Sequence, residues 1–145
     1  MTIQRMDHVG IIVDDLAAAI DFFVELGLEV QGQFSVEGPW VDRSVGLEGV
    51  RNDAAMLQTP DGHGRLELIQ FLSPPAQGDD AHAPANTRGL RHIAFAVDDI
   101  EDVIGRLRAR GSELVGELVN YEDSYWLCYV RGPAGIIVEL AEKIG

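Results

Sequence analysis

The chain is poor in cysteine, in positive charge and in long apolar runs. Its 145 residues include one cysteine, Cys128, so an intrachain disulfide and a zinc site built from a cysteine cluster are excluded. Lys and Arg total 11 against 24 Asp and Glu, and a net charge of −13 excludes nucleic acid as an expected partner because phosphate would be repelled. No apolar stretch approaches the roughly 20 residues that span a bilayer, and no basic run points to a membrane surface. The opening residues, MTIQRMDHVG, lack the features of a secretory signal, so the expected location is the cytoplasm.

The chain has no phosphate-binding loop and no glycine-rich dinucleotide turn, but it does contain an internal repeat. The stretch HVGIIVDDLAAAI begins at His8, and HIAFAVDDIEDVI begins at His92. The same alignment pairs the Val-Asp-Asp junction with itself and Gly27 with Gly111, and most other positions exchange one apolar residue for another. Such self-similarity indicates a duplicated structural unit.

Both copies of the repeat are predicted to form the same order of elements: a strand, a helix and three strands. A β-rich run is followed by an aspartate pair suited to capping a helix, then by apolar residues at helical spacing, then by glycine. The helices are predicted at 16–26 and 100–110. The strands are predicted at 6–13, 28–36, 54–58 and 65–71 in the first half, and at 90–97, 113–119, 126–131 and 136–142 in the second. The sequence therefore predicts an α+β protein with modules at 1–72 and 89–145 and a linker at 73–88, where Pro, Ala, Gly and Asp dominate.

Each predicted module carries one histidine in its first strand and one glutamate in its last. These residues are His8 and Glu67 in the first half, and His92 and Glu139 in the second. A lone strand histidine is more often structural, and a lone buried glutamate more often pairs with a base. Four such residues at equivalent points of a repeat instead favour one divalent transition metal, with two ligands from each module and open positions for water or substrate.

The stretches HVGIIVDDLAAAIDFFVELGLEV, RLELIQF, GLRHIAFAVDDIEDVIGRLRARG and GPAGIIVEL resemble the vicinal oxygen chelate superfamily. The resemblance covers nearly the whole chain outside the linker. It implies paired βαβββ modules that form a curved, cupped mixed sheet with helices on the outer face, often in a homodimer. It places His8, Glu67, His92 and Glu139 at the positions of the family's metal ligands. It also implies a small-molecule substrate that chelates the metal through two adjacent oxygens.

Within that superfamily, the ligand set resembles glyoxalase I. The resemblance implies a lyase or isomerase that uses one Ni, Co, Zn, Fe or Mn ion. Such an enzyme moves a proton at a carbon next to a carbonyl, through a metal-stabilised enediolate. Glu139 is the first choice for the base that moves the proton, and Glu67 is the second.

Three other functions stay open. The stretch GLRHIAFAVDDI resembles methylmalonyl-CoA epimerase, and GLEGV places Glu48 near a second acid/base glutamate of that enzyme. The turn RGPAG, however, replaces the longer basic turn expected for coenzyme A. An extradiol dioxygenase would need two histidines and one carboxylate around Fe(II), whereas this chain offers a fourth ligand. A non-enzymatic resistance or binding protein would have the fold without the metal.

Four further residues are candidates for a substrate pocket: Trp40, Tyr125, Trp126 and Arg43. The aromatic side chains would supply apolar walls, and the guanidinium would bind an acidic group on a substrate. Core or dimer packing explains the aromatic residues equally well, and surface ion pairing explains an arginine in so acidic a chain.

Overall fold

The computed structural model describes residues 2–78 and 81–145, and the chain divides into two compact units, Met1–Gly78 and Asp79–Gly145. Each unit contains one four-stranded mixed sheet, which confirms the predicted α+β class and the paired arrangement of modules. Residue 1 of the predicted first module and residues 79 and 80 of the predicted linker lie outside the described residues. The boundaries at 72 and 89 stay a prediction.

The sheet of the first unit has the order β1-β4-β3-β2. β1 pairs in parallel with β4, and the other neighbours are antiparallel. β4 is therefore a central strand with a partner on each side. The elements are β1 (Val9–Ile12), α1 (Leu16–Leu26), β2 (Glu29–Glu37), α2 (Pro39–Val45), β3 (Arg51–Gln58) and β4 (Arg65–Ser73).

The sheet of the second unit repeats this topology in the order β5-β8-β7-β6. β5 pairs in parallel with β8, which is again central and antiparallel to its other neighbour. The elements are β5 (His92–Ala96), α3 (Ile100–Ala109), β6 (Val119–Tyr121), β7 (Tyr125–Arg131) and β8 (Ile137–Lys143), with a 3₁₀ turn at Pro133–Gly135.

The second aspartate of each pair caps its helix, as predicted. The carboxylate of Asp15 accepts a hydrogen bond from the backbone N–H of Ala18, and that of Asp99 accepts one from Asp102, at 3.0 and 3.1 Å. Each bond satisfies an N–H group that has no partner within the first turn. α1 then ends at Gly27, whose φ of 126° lies in a region that other residues rarely adopt.

A second contact fixes the start of each helix, and it comes from the last strand of the unit. The side-chain oxygen of Gln70 on β4 accepts a hydrogen bond from the backbone N–H of Leu16 at 2.9 Å. Glu142 on β8 does the same for Ile100 at 2.7 Å. Both helices are thus tied to the central strand of their own sheet.

One face of each sheet packs against its helix and forms the core. α1 packs on β3 and β4, and α3 packs on β8. The helices bury the apolar stripes that produced their predicted spacing, including Phe23 and Leu107. The largest fully buried side chains are Phe23, Leu57, Leu68, Ile100, Leu107, Ile137, Leu140, Val50, Val130 and Val138.

β1, α2 and the start of β6 are among the elements that differ from the predictions. β1 begins at Val9 rather than at residue 6, because its pairing with β4 begins there, so His8 lies just before the strand. α2 was not predicted, since seven residues beginning with proline show too little periodicity to indicate a helix. The strand predicted at 113–119 is reduced to a single bridge between Leu114 and Val130, and the regular strand begins only at Val119.

None of the helices in the described ranges has the length and apolar content that crossing a bilayer requires.

Candidate functional site

The first unit brings His8 and Glu67 together at the edge of the β1–β4 ladder. Gly10 pairs with Glu67 in the parallel register, and His8 precedes Gly10 by two residues. The Nε2 atom of His8 lies 3.7 Å from Oε1 of Glu67, with the two side chains 37% and 23% exposed. The pair is accessible to solvent, with the carboxylate more covered than the imidazole.

The second unit brings His92 and Glu139 together in the same way. Ala94 pairs with Glu139 in the β5–β8 register, and His92 again precedes this partner by two residues. The Nε2 atom of His92 lies 3.4 Å from Oε1 of Glu139, and the exposed fractions are 42% and 21%. The structure thus joins the four predicted ligands as two equivalent His–Glu pairs, one in each unit.

The parallel register explains why the two pairs have the same geometry. Residues two apart on a strand face the same side of a sheet, so each histidine shares a face with the small residue two positions after it. The glutamate lies on that face too, because it pairs with the small residue across the ladder. The small residues are Gly10 and Ala94, and both are exposed. Small side chains at these positions leave space beside each carboxylate.

The donor atoms of each pair fit a divalent transition metal. Imidazole nitrogen and carboxylate oxygen both bind such ions at about 2.1 Å, which puts two donors about 3.0 Å apart at 90° and about 3.6 Å apart at 120°. The observed separations of 3.4 and 3.7 Å are close to that range. Neither unit by itself gathers three or more His, Cys, Asp or Glu side chains in one cluster within residues 2–78 or 81–145. Each unit therefore offers two ligands to a metal ion, which is not a complete set.

A carboxylate, Asp7, contacts the other ring nitrogen of His8. Its Oδ1 lies 2.8 Å from Nδ1 of His8 and 3.2 Å from Nη1 of Arg65. The hydrogen bond to His8, assisted by the charges of Arg65 and Arg5, holds the pKa of Asp7 below its usual range. Asp7 is therefore ionised at neutral pH.

The ring of His92 contacts an aromatic residue, Tyr129, that is not among the predicted site residues. The rings of His92 and Tyr129 have centroids 5.1 Å apart and are tilted by 36°. Tyr129 is also the antiparallel partner of Glu139 across β7 and β8, while Met56 has the corresponding place beside Glu67. Period-two alternation along β7, counted from Tyr125, would have indicated Tyr129 as a residue of the same face.

The remaining candidates are spread over both units. Glu48 lies in the exposed bend between α2 and β3, and among the described residues no hydrogen bond or ion pair joins it to His8 or Glu67. Trp40 and Arg43 lie on α2, with Trp40 59% exposed.

Of the two candidates on β7, one shares a face with Glu139. The register places Tyr125 on the same face as Tyr129 and Glu139, and it places Trp126 on the opposite face. Tyr125 therefore lies on the face that carries the second pair, opposite Lys143 on β8, and Trp126 does not lie on that face. The assignment of a substrate pocket stays a prediction.

Cys128 is buried in β7. Burial raises the pKa of its thiol to about 11, because the charged thiolate is disfavoured away from water. The thiol therefore stays protonated at neutral pH and is a poor nucleophile.

The family model and a similar solved structure both carry a glyoxalase family name. A family model described as Glyoxalase/Bleomycin resistance protein/Dioxygenase superfamily matches residues 7–129. The crystal structure of a glyoxalase family protein from Bacillus cereus is 48% identical, with a TM-score of 0.96, and the alignment covers 100% of this chain and 97% of that one. The uncharacterized protein YwbC of Bacillus subtilis is 29% identical over 145 residues, with 97% of this chain and 98% of that protein covered.

A more distant solved structure is similar to this chain in fold alone. A glyoxalase I mutant from Zea mays is 19% identical, with a TM-score of 0.71 over 97% of this chain and 45% of that one. The family model covers most of the chain, including three of the four predicted ligands. This chain belongs to the glyoxalase/bleomycin resistance protein/dioxygenase superfamily.

Proposed function

We propose that the protein is a lyase or isomerase of the glyoxalase I type that depends on one divalent ion of Ni, Co, Zn, Fe or Mn. In this proposal His8, Glu67, His92 and Glu139 are the ligands, and the substrate is a small molecule with two adjacent oxygens. The observation that carries the proposal is the repeated His–Glu pair, with Nε2–Oε1 distances of 3.7 and 3.4 Å at the same register in both sheets. The two pairs together supply the four donors that the proposed ion needs.

The bound cation would stabilise negative charge that develops on the substrate oxygens as a neighbouring carbon loses its proton. Glu139 then acts as the base: its carboxylate takes the proton from the hydroxyl-bearing carbon next to the carbonyl and returns it to the carbonyl carbon, while the hydroxyl proton passes to the former carbonyl oxygen. The number of atoms in the substrate does not change, so the reaction is an isomerisation of the bound molecule.

The surroundings of Glu139 suit this role. Its side chain is 21% exposed, so a substrate can reach the carboxylate while much of the surrounding water is excluded. The exposed Ala94 and Ala96 on the neighbouring strand leave room on the same face. Glu67 has Gly10 and Ile12 in the corresponding places and is the second candidate for the base.

The relatives support the same class of activity. The protein from Bacillus cereus at 48% identity carries the name of the glyoxalase family. The superfamily resemblance extends the proposal to a homodimer, with the ligand set completed either within one chain or with a second copy.

The experiment that tests this proposal begins with metal content. Protein from metal-supplemented cultures is expected to contain close to one equivalent of a divalent transition ion. His92→Ala should lose tight binding of this ion without a change in far-UV circular dichroism, because it removes one donor from an exposed position. His63→Ala is the matched control, since His63 is in an exposed turn and its side chain is 88% exposed. Full metal occupancy in His92→Ala would contradict the ligand assignment.

The second part of the experiment measures turnover by the loaded protein. Methylglyoxal–glutathione hemithioacetal, methylmalonyl-CoA and catechols are supplied in turn with each metal. The hemithioacetal is expected to be the substrate, and Glu139→Gln should lower its kcat by about 10²–10⁴-fold because the amide cannot accept the proton.

Other outcomes of that screen identify the competing functions. Turnover of methylmalonyl-CoA that depends on Glu48 would replace the proposal with an epimerase. Oxygen-dependent cleavage of catechols with Fe(II) would replace it with a dioxygenase. A protein that takes up no metal would be a non-enzymatic binding protein.

A further inference from the structure

The histidines of the two pairs have different surroundings despite their equivalent positions. Asp7 precedes His8, whereas Arg91 precedes His92. Arg91 turns away from its neighbour and donates hydrogen bonds to the backbone carbonyls of Thr87 and Arg88, at 3.1 and 2.9 Å. Among the described residues, a carboxylate contacts the Nδ1 atom of His8, and no carboxylate contacts the Nδ1 atom of His92.

Asp7 is itself held by two arginines. Nη1 of Arg65 donates to Oδ1 at 3.2 Å, and Nη2 of Arg5 donates to Oδ2 at 3.3 Å. Arg65 lies on β4, the strand that also carries Glu67, so its hydrogen bond ties Asp7 to that strand. The carboxylate that orients the imidazole is thereby fixed relative to the other member of the pair.

The hydrogen bond determines which ring nitrogen of His8 carries the proton. An ionised carboxylate accepts hydrogen bonds and cannot donate them, so Nδ1 of His8 must be the donor. In the neutral ring this leaves the lone pair on Nε2, the atom that lies 3.7 Å from Oε1 of Glu67. A hydrogen bond from Nδ1 to a carboxylate also makes Nε2 a stronger electron-pair donor to a metal ion.

We propose that Asp7 is a positioning residue that fixes His8 in the Nδ1–H tautomer and keeps Nε2 available for the cation, an inference that rests on the proposed metal site. The role has no counterpart in the second pair, where His92 contacts the ring of Tyr129 instead. The two histidines are therefore unequal ligands. His8 is arranged for binding before the metal arrives, by the hydrogen bond that its Nδ1 atom donates to Asp7.

The tautomer can be measured directly in metal-free protein. Long-range ¹H–¹⁵N spectra of protein labelled at histidine distinguish the two forms, and the chain has only four histidines to assign. His8→Gln identifies the signal by its loss. We expect His8 to be in the Nδ1–H form in the wild type and to populate the Nε2–H form in Asp7→Ala. Asp14→Ala is the matched control, because it removes one exposed carboxylate from the same unit, after β1.

Metal affinity gives the second readout. Titration calorimetry with Zn²⁺ or Co²⁺ is expected to show binding weakened by about 10–100-fold in Asp7→Ala and unchanged in Asp14→Ala. An Nε2–H tautomer in the wild type, an unchanged tautomer in Asp7→Ala, or an affinity of Asp7→Ala within threefold of the wild type would each overturn the inference. A wild-type protein that binds none of the metals overturns the proposed function, and the tautomer measurement then decides the role of Asp7 separately.

Discussion

Gly135→Ala is expected to lower the free energy of unfolding more than any exposed substitution in the second unit. Gly135 lies in the turn before β8 with φ of 77°, a conformation that disfavours residues with a side chain by about 1–2 kcal/mol. A Cβ atom at this position would also lie 2.5 Å from both the Cα and the carbonyl oxygen of Ala81. These are backbone atoms, so a change of rotamer cannot relieve the overlap.

The size of the effect follows from the movement that the overlap demands. An ordinary carbon contact is about 3.5–4.0 Å, so the backbone at Ala81 must move by about 1 Å. That movement strains the hydrogen bond from Nη1 of Arg131 to the carbonyl of Ala83, which measures 2.8 Å. Overpacking of this kind costs about 1–3 kcal/mol, and with the backbone penalty we expect a loss of about 2–5 kcal/mol.

Urea denaturation followed by circular dichroism measures this loss, and Gly105→Ala provides the opposite case. Gly105 lies inside α3 and does not have positive φ, and a Cβ atom added there would meet no neighbouring atom within 4 Å. Alanine there should raise the free energy of unfolding by up to about 1 kcal/mol, because it is the better helix former. A loss below about 0.5 kcal/mol in Gly135→Ala, or an equal loss in both variants, would refute this reasoning.

Two further predictions concern β8 and β7. Glu142→Ala should lower the free energy of unfolding by about 1–2 kcal/mol, because the backbone N–H of Ile100 loses its acceptor at 2.7 Å. Glu142→Gln should lower it less, since the side chain of Gln70 accepts the corresponding bond in the first unit. Equal losses for the two variants in urea denaturation would contradict this. The buried Cys128, with its thiol pKa raised to about 11, should react far more slowly with a thiol reagent at pH 8 in folded protein than in urea, and equal rates would show that the thiol is accessible.

Features set by neighbouring residues in the sequence were the ones that could be predicted. The limits of α1 agree with the prediction, and α3 ends one residue earlier, because aspartate caps, apolar spacing and glycine are all local signals. The four candidate ligands could be selected because the repeat drew attention to them. Their association in pairs follows from strand alternation together with the parallel pairing of the first and last strands.

Features that depend on contacts between distant segments could not be predicted. The hydrogen bond from Leu16 to Gln70 spans 54 residues, and that from Ile100 to Glu142 spans 42. Alternation along β7 indicates the face of Tyr129, but its position beside Glu139 depends on the register of β7 with β8, and Arg65 reaches Asp7 because β4 lies beside β1. Nothing in the local sequence determines these partners.

The central position of β4 and β8 limits how evolution or protein engineering can change the length of this chain. Adding or deleting one residue inside either strand would turn its glutamate to the packed side and would bring an apolar residue into the place of the carboxylate. The turns at 59–64 and 121–124 lie outside the two central strands and can absorb such changes. Related chains that differ in length should therefore keep these two strands free of gaps and vary in the turns.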